Sequence, residues 1–293
     1  MHRFRLMVCL ATVTLIGCGA DSLYELLSPS PRVKLPADEA PKSSAGQWWY
    51  YTGALTDDAG RLYGVHAVTF LIPGALVGLD YQGWITHYAI LDTATGQYHT
   101  AQRRSASAFD PDSGAGRGGQ EGGFDLPTPL MHMVGHDGRD RLTARLEDGD
   151  YALDLTLTGT RGPVLHGFNG YAPYGPGGWT FYYSRPRMAA AGALTIQGQS
   201  RPVRGTLWFD RQWGNDLHNP WLAWRWFSLR LDDGRDIMLF HFDDTAAVTS
   251  TFIDPDNTAT PLTADDYTLT PTAWWTSPRT RRHYPVAWTI AFH

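Results

Sequence analysis

Cysteine is scarce in this chain of 293 residues, which contains only Cys9 and Cys18, both close to the N-terminus. Residues beyond 18 therefore hold no thiol for a disulfide, for thiolate catalysis or for a cysteine-based metal site, and we expect neither a metal ion nor a cofactor. The net charge of −5 argues against nucleic acid as a partner. The chain has no Gly-x-Ser-x-Gly motif, which argues against a serine hydrolase of the α/β class.

Long apolar runs are also missing near the N-terminus, where Leu6–Ile16 has only 11 residues against the roughly 20 needed to span a bilayer. This run follows two arginines and ends in Leu-Ile-Gly-Cys18, which resembles a bacterial lipobox. The resemblance predicts that residues 1–17 are a signal peptide and that Cys18 is lipidated. The alternative is an ordinary cleaved signal peptide with a chance cysteine. Gly19, in place of an aspartate, favours the outer membrane.

The expected location is thus the bacterial cell envelope, with a lipid anchor in the outer membrane and the protein facing the periplasm. Residues 18–46 contain repeated proline and serine and predict a flexible tether. The membrane would be a partner only through the anchor.

Strand patterns dominate from residue 47 onward. Residues 151–158 alternate apolar and polar side chains, as a half-buried strand does. Similar segments recur every 8–12 residues between Gly, Asp and Asn turns, and no long stretch has helical periodicity. The sequence therefore predicts an all-β fold, a sandwich or a barrel. Its twelve tryptophans suggest aromatic side chains beyond those a core needs, and hence a pocket.

Five segments, in this order, resemble the hydroxyneurosporene synthase (carotenoid 1,2-hydratase, CrtC) and AttH-like family. They are residues 47–53 (QWWYYTG), 164–167 (VLHG), 181–184 (FYYS), 205–214 with 208–213 (WFDRQW), and 224–234 (WRWFSLRLDDG). The resemblance implies two consecutive lipocalin-like antiparallel β-domains, expected at 47–197 and 198–293. The family's second domain usually continues past the point where this chain stops, so we expect a C-terminal domain that is either incomplete or closed in a different way.

Residues 224–243 predict a hairpin that could carry acid chemistry. A two-residue turn at Asp233-Gly234 would pair Trp226 with His241 and Trp224 with Asp243. Those four side chains would then share one face. Asp243 would be the proton donor in an apolar pocket, His241 would position it, and the tryptophans would stabilise a cation. The alternative is an exposed Asp–His pair on an outer face, with the tryptophans at a domain interface.

Asp210 is the third catalytic candidate. On a regular strand Asp210 and Arg211 point to opposite faces, and the alternative role for Asp210 is structural, as an arginine partner or a turn cap. His166 is a further candidate, with a turn position as its alternative. The predicted substrate-binding residues are Trp208, Trp213, Trp224, Trp226, His166 and Tyr182.

Two functions fit these residues. The first is a cofactor-independent hydratase that adds water to an alkene of an isoprenoid or other apolar substrate, as the family resemblance implies. The second is a non-catalytic, lipocalin-like carrier of a hydrophobic small molecule. An ionisable acid inside a ligand-sized pocket would favour the first, whereas barrels filled by side chains would indicate a purely structural protein.

Overall fold

A computed structural model of the protein describes residues 33–42, 45–76, 79–108, 122–146, 149–174, 178–215, 223–242 and 249–293. A short 3-10 helix (Ala37–Glu39) precedes the strands. The strands are β1 (Gly46–Asp57), β2 (Leu62–Leu76), β3 (Leu79–Asp92), β4 (Gln97–Ala108), β5 (Phe124–Pro127), β6 (Met131–His136), β7 (Arg139–Arg145), β8 (Ala152–Gly159), β9 (Val164–Leu165), β10 (Tyr171–Tyr174), β11 (Gly178–Ile196), β12 (Gln199–Gly214), β13 (Trp224–Arg230), β14 (Asp236–Phe242), β15 (Ser250–Ile253), β16 (Ala259–Leu262), β17 (Tyr267–Thr276) and β18 (His283–Phe292).

Twelve of these strands form one curled, antiparallel sheet in the order β4-β3-β2-β1-β12-β11-β8-β7-β6-β5, with β9 and β10 also paired to β11. A second sheet has the order β13-β14-β15-β16, and β17 pairs with β18. The all-β prediction is confirmed. None of the helices in the described ranges has the length and apolar character needed to cross a membrane.

Period-two alternation explains why these segments are strands. In β8, Leu153, Leu155 and Leu157 are buried, whereas the residues between them are exposed. In β1, Trp49 and Tyr51 are fully buried in the main core, which the curled sheet encloses. Trp48 and Tyr50, which alternate with them, point to the opposite face, where the second sheet packs. A smaller core there joins Tyr182 and Trp208 to Phe240 and its neighbours.

The expected domain boundary at residue 197 falls in the turn between β11 and β12. Strand β12 then pairs along its length with both β11 and β1, so residues 199–214 lie within the large sheet. Local strand spacing does not show that a strand returns to a partner so far back in the chain. The division of the chain into domains remains a prediction.

Part of the predicted tether packs against the large sheet. Glu39 is buried and its Oε1 atom lies 2.9 Å from the Arg185 guanidinium. The Glu39 carbonyl accepts hydrogen bonds from Trp49 Nε1 at 3.2 Å and Arg211 Nε at 3.3 Å. Residues 33–42 therefore differ from the flexible prediction, because prolines and serines that break a periodic pattern do not prevent a segment from packing against a sheet. Cys18 lies outside the described residues.

The register predicted for the β13–β14 hairpin is wrong by one residue. Leu231 N–H donates to Arg235 O at 2.9 Å, so the loop contains three residues, the last of which, Gly234, has φ of +90°. Trp226 consequently pairs with Phe240. A slip of one residue moves a strand's side chains to the other face. Trp224, Trp226 and Phe240 thus share a face that excludes His241.

Candidate active site

A cavity of about 460 Å³ lies between the large sheet and the β13–β14 hairpin. A larger depression of about 510 Å³ near β6 to β8 has exposed polar residues such as His132 and Asp154, and none of its described lining residues is a buried ionisable group. We therefore take the smaller cavity as the candidate active site. Its lining residues are Trp48, Tyr50, His66, Val68, Phe70, His87, Tyr182, Asp210, Gln212, Trp224, Trp226 and Phe240.

Strand pairing explains how distant segments meet in this cavity. Asp210 on β12 lies directly opposite Tyr50 on β1, which lies opposite Val68 on β2, which lies opposite His87 on β3. Cross-strand neighbours project to the same side of a sheet. The floor of the cavity is therefore a row of side chains across four adjacent strands.

Asp210 is the buried carboxyl of this site. Its Oδ1 atom accepts hydrogen bonds from Trp208 Nε1 at 2.7 Å and from the Ser184 hydroxyl. Burial raises the pKa of Asp210 to about 7, against the opposing effect of its hydrogen bonds to Ser184, Trp208 and Tyr182. The desolvation of the charged form outweighs these donors. Asp210 is therefore largely protonated in mildly acidic solution and still partly protonated at neutral pH.

A chain of hydrogen bonds supports Asp210 from behind. His166 Nε2 lies 2.6 Å from Ser184 Oγ, and His166 Nδ1 lies 2.8 Å from Thr251 Oγ1. Burial lowers the pKa of His166 to about 3, so its ring is neutral. Because Ser184 donates to Asp210, its oxygen is free to accept from Nε2–H, and Nδ1 accepts from Thr251. Donor and acceptor atoms are then matched in every hydrogen bond from Thr251 to Asp210.

Aromatic rings form the walls around the carboxyl. The centroids of Tyr50 and Trp226 are 5.3 Å apart in an edge arrangement, and Trp226 lies 6.3 Å from Trp208. Trp226 Nε1 also donates to the Tyr182 hydroxyl at 3.0 Å, which holds the indole in place. Ring faces such as these stabilise positive charge on a bound molecule.

The other wall carries neutral polar groups. His66 Nδ1 lies 3.2 Å from the Tyr50 hydroxyl, and burial lowers the pKa of His66 to about 4. His87 Nε2 and Gln212 Oε1 are buried and have no hydrogen-bond partner among the described residues. Such orphaned polar atoms are positions where a water molecule or a substrate hydroxyl would bind.

In the ranges that the structure describes, no three His, Cys, Asp or Glu side chains are grouped as metal ligands would be. Among the described residues that line the cavity, Asp210 is the one acid, and the other polar groups are neutral hydrogen-bonding atoms.

Of the residues predicted from sequence, Asp210, Tyr182, Trp224 and Trp226 line the cavity. Trp208 and His166 lie directly behind Asp210, in contact with it or with Ser184.

Trp213 and His241 lie elsewhere. Trp213 packs 4.8 Å from the Arg211 guanidinium, which is on the opposite face from Asp210 as predicted. His241 faces Tyr267, with ring centroids 6.4 Å apart. Asp243 lies outside the described residues.

Sequence reasoning missed Trp48, Tyr50, His66, His87 and Gln212. A signal existed for some of them. Trp48 and Tyr50 alternate with the buried core residues of β1, so they point away from the main core. Gln212 is two residues from Asp210 and shares its face. His87 carried no such signal, because its strand was not predicted to lie near β12.

Sequence and structure comparisons identify the family. The AttH-like family profile matches residues 27–293. The chain belongs to the AttH-like family. This AttH-like protein has 29% sequence identity to the crystal structure of a protein assigned as AttH from Nitrosomonas europaea, with a TM-score of 0.77 and coverage of 90% of this chain and 83% of the other.

Two relatives have names that refer to enzymes. Kievitone hydratase from Nectria haematococca shares the fold with a TM-score of 0.66 and 22% identity, covering 89% of this chain and 77% of that one. Dehydratase asqC of Emericella nidulans is 26% identical over 169 residues, which are 54% of this chain. The aligned part spans about half (47%) of that dehydratase.

Proposed function

We propose that this AttH-like protein is a cofactor-independent hydro-lyase, with Asp210 as its acid. The observation that carries the proposal is a buried carboxyl whose pKa is raised to about 7 and which lines an aromatic cavity. A general acid works best when its pKa is near the working pH. A passive carrier of apolar molecules gains nothing from a buried carboxyl.

The names of two relatives support the reaction class. A hydratase and a dehydratase catalyse opposite directions of one reaction, the addition of water to a double bond and its elimination. One set of groups serves both directions, and the substrate's own equilibrium sets the net direction. The proposed substrate is an apolar, unsaturated or hydroxylated molecule, of which an isoprenoid is one example.

In the hydration direction, Asp210 gives its proton to one alkene carbon and forms the new C–H bond. The positive charge that develops on the neighbouring carbon lies beside the faces of Trp226 and Tyr50. A water molecule held by Gln212 Oε1 or His87 Nε2 forms the C–O bond. Its surplus proton passes to the Asp210 carboxylate, which restores the acid. In dehydration the same steps run backwards.

Oxygen exchange tests the proposal in either direction. Lipophilic molecules extracted from the native protein, and a panel of unsaturated and hydroxylated phenols and isoprenoids, are incubated with the protein in ¹⁸O-labelled water. Reversible hydration should place ¹⁸O in the product hydroxyl, which mass spectrometry detects. Asp210→Asn should slow this exchange by roughly 10²–10⁴-fold, the loss expected on removing a general acid.

Asp140→Asn is the matched control. Asp140 is also buried, and burial raises its pKa to about 7. Its carboxyl accepts a hydrogen bond from the Tyr51 hydroxyl and does not line the cavity. This variant should keep the exchange activity if it folds. Equal rates in the wild type and Asp210→Asn would contradict the proposal. A bound molecule that never acquires ¹⁸O would indicate a carrier.

We also propose a location, on the basis of residues 15–18 alone. Lipidation of Cys18 would hold the protein at the bacterial cell envelope. Cys18→Ala should move the protein from the membrane fraction to the soluble fraction. Retention in the membrane fraction after a high-salt wash would contradict the anchor.

A further inference from the structure

A second cavity of about 310 Å³ adjoins the candidate active site. The two share Trp48, Phe70 and His87 as common walls. From there the second cavity extends to Gln102 and Arg104 on β4, the strand at the end of the large sheet. The two cavities adjoin along these three side chains, and we treat them together as one groove.

The floor of this groove is continuous across five strands. The row from Asp210 through Tyr50, Val68 and His87 continues to Gln102, which lies directly opposite His87. Four strand spacings of about 4.8 Å correspond to roughly 19 Å along the sheet surface. The groove is therefore long enough for an extended molecule that touches both Asp210 and β4.

A second row runs parallel to the first and ends in a cation. It passes from Gln212 through Trp48, Phe70 and Ile85 to Arg104. Its middle members are apolar, and its last member carries a positive charge. The groove thus changes from an aromatic interior to a charged end.

Arg104 is available to a ligand. Its side chain is exposed, and no acidic side chain among the described residues pairs with it. The second cavity has no aspartate or glutamate among its described lining residues, while Gln102 adds an amide that can donate beside the guanidinium. A guanidinium binds a carboxylate through two parallel hydrogen bonds.

We propose that the substrate is an elongated, apolar, unsaturated carboxylic acid whose carboxylate binds Arg104 and Gln102 while its reacting carbons lie beside Asp210. This inference rests on the proposed function for the identity of the reacting end. The anionic end fixes how far the chain enters the groove and so selects which double bond reaches the acid. Neutral molecules of the same shape would bind more weakly and with less defined register.

Fluorescence titration with cis-parinaric acid, a straight-chain conjugated tetraene, and with its methyl ester tests this inference at pH 8 and low salt. Wild-type protein should bind the acid about tenfold more tightly than the ester, as expected for one partly exposed charge-assisted interaction. Arg104→Gln should remove that preference, because it should weaken the binding of the acid and leave the binding of the ester unchanged. Added salt should reduce the preference in the wild type.

Arg103→Gln is the charge-matched control, because Arg103 is exposed, projects from the opposite face of β4 and does not line either cavity. It should keep the preference for the acid. The inference is overturned if Arg104→Gln binds the acid as tightly as the wild type, or if the wild type binds both probes equally or neither. Asp210→Asn should still bind the acid, so a failed ¹⁸O-exchange test leaves this binding result intact.

Discussion

Trp208 donates its indole N–H to Asp210 Oδ1 over 2.7 Å from a position two residues earlier on the same strand. Residues two apart on a strand project to the same side, so β12 alone supplies both partners. Ser184, directly opposite on β11, donates to the same oxygen. Tyr182 also hydrogen-bonds to this carboxyl, so three neighbouring side chains hold the Asp210 carboxyl in place.

Stability should depend on pH through Asp210. Its folded-state pKa of about 7 lies above the ordinary 3.8, so the folded protein binds this proton more tightly than the unfolded chain does. The contribution of Asp210 to the free energy of unfolding is therefore fully present below about pH 4 and is lost as pH rises toward 7. The slope is about 1.4 kcal/mol per pH unit within that window.

Urea denaturation of the wild type and Asp210→Asn between pH 4 and pH 8 measures this effect. The variant should gain stability relative to the wild type as pH rises toward 7, by a few kcal/mol in total. Buried histidines such as His166 contribute the opposite slope, but they are present in both proteins and cancel in the difference. Parallel curves would show that Asp210 titrates normally.

Ser184→Ala should raise the pKa of Asp210 further. The Ser184 hydroxyl favours the charged carboxylate, and its removal leaves the effect of burial less opposed. Infrared absorption of the protonated carboxyl, with the Asp210→Asn spectrum subtracted, follows this titration directly.

Thr251→Val provides the control for Ser184→Ala. Thr251 forms a hydrogen bond with His166, at the end of the hydrogen-bond network that is farthest from Asp210. This variant should reduce the free energy of unfolding by about 1–3 kcal/mol, because His166 Nδ1 loses its buried hydrogen-bond partner. The pKa of Asp210 should stay near the wild-type value. A shift as large as that of Ser184→Ala would mean that the whole network, rather than one hydroxyl, sets the acidity.

Asp236 should hold the hairpin against the large sheet. Its buried carboxylate lies 2.9 Å from Arg187 Nε on β11 and 3.3 Å from an Arg161 nitrogen. Asp236→Asn leaves both partly buried arginines without a counter-charge and should reduce the free energy of unfolding by about 3 kcal/mol. Asp233→Asn, which removes an exposed pair with Arg235 in the same hairpin, should change urea midpoints little.

Gly234 should be needed for the hairpin register. Its φ of +90° is unfavourable for residues with a side chain, so Gly234→Ala should destabilise the protein by about 1–3 kcal/mol. Gly234→Asn should cost less, since asparagine tolerates positive φ better. Thermal denaturation compares the three proteins. Equal melting temperatures for the alanine variant and the wild type would mean that the loop relaxes to another turn.

Local patterns predicted a useful part of the site. The two-residue period of β12 predicted that Asp210 and Arg211 point to opposite faces, and this arrangement is seen. The same two-residue period gave the wrong face for His241, because a three-residue loop replaces the expected two-residue turn. One residue in a loop of charged residues and glycine reverses every inference about which face the following strand presents.

By itself, the sequence determined the all-β class, through side-chain alternation and turn residues, and it determined the family, through motifs in a set order. Only the tertiary structure decided the composition of the site. Tyr50 lies opposite Asp210 although 160 positions separate them, and His87 joins the same row through two further strands. Pairing between distant strands depends on the packing of the whole sheet, whereas periodicity reports only on neighbours along the chain. The acid's character follows from the same cause, because burial by distant aromatic side chains raises the pKa of Asp210.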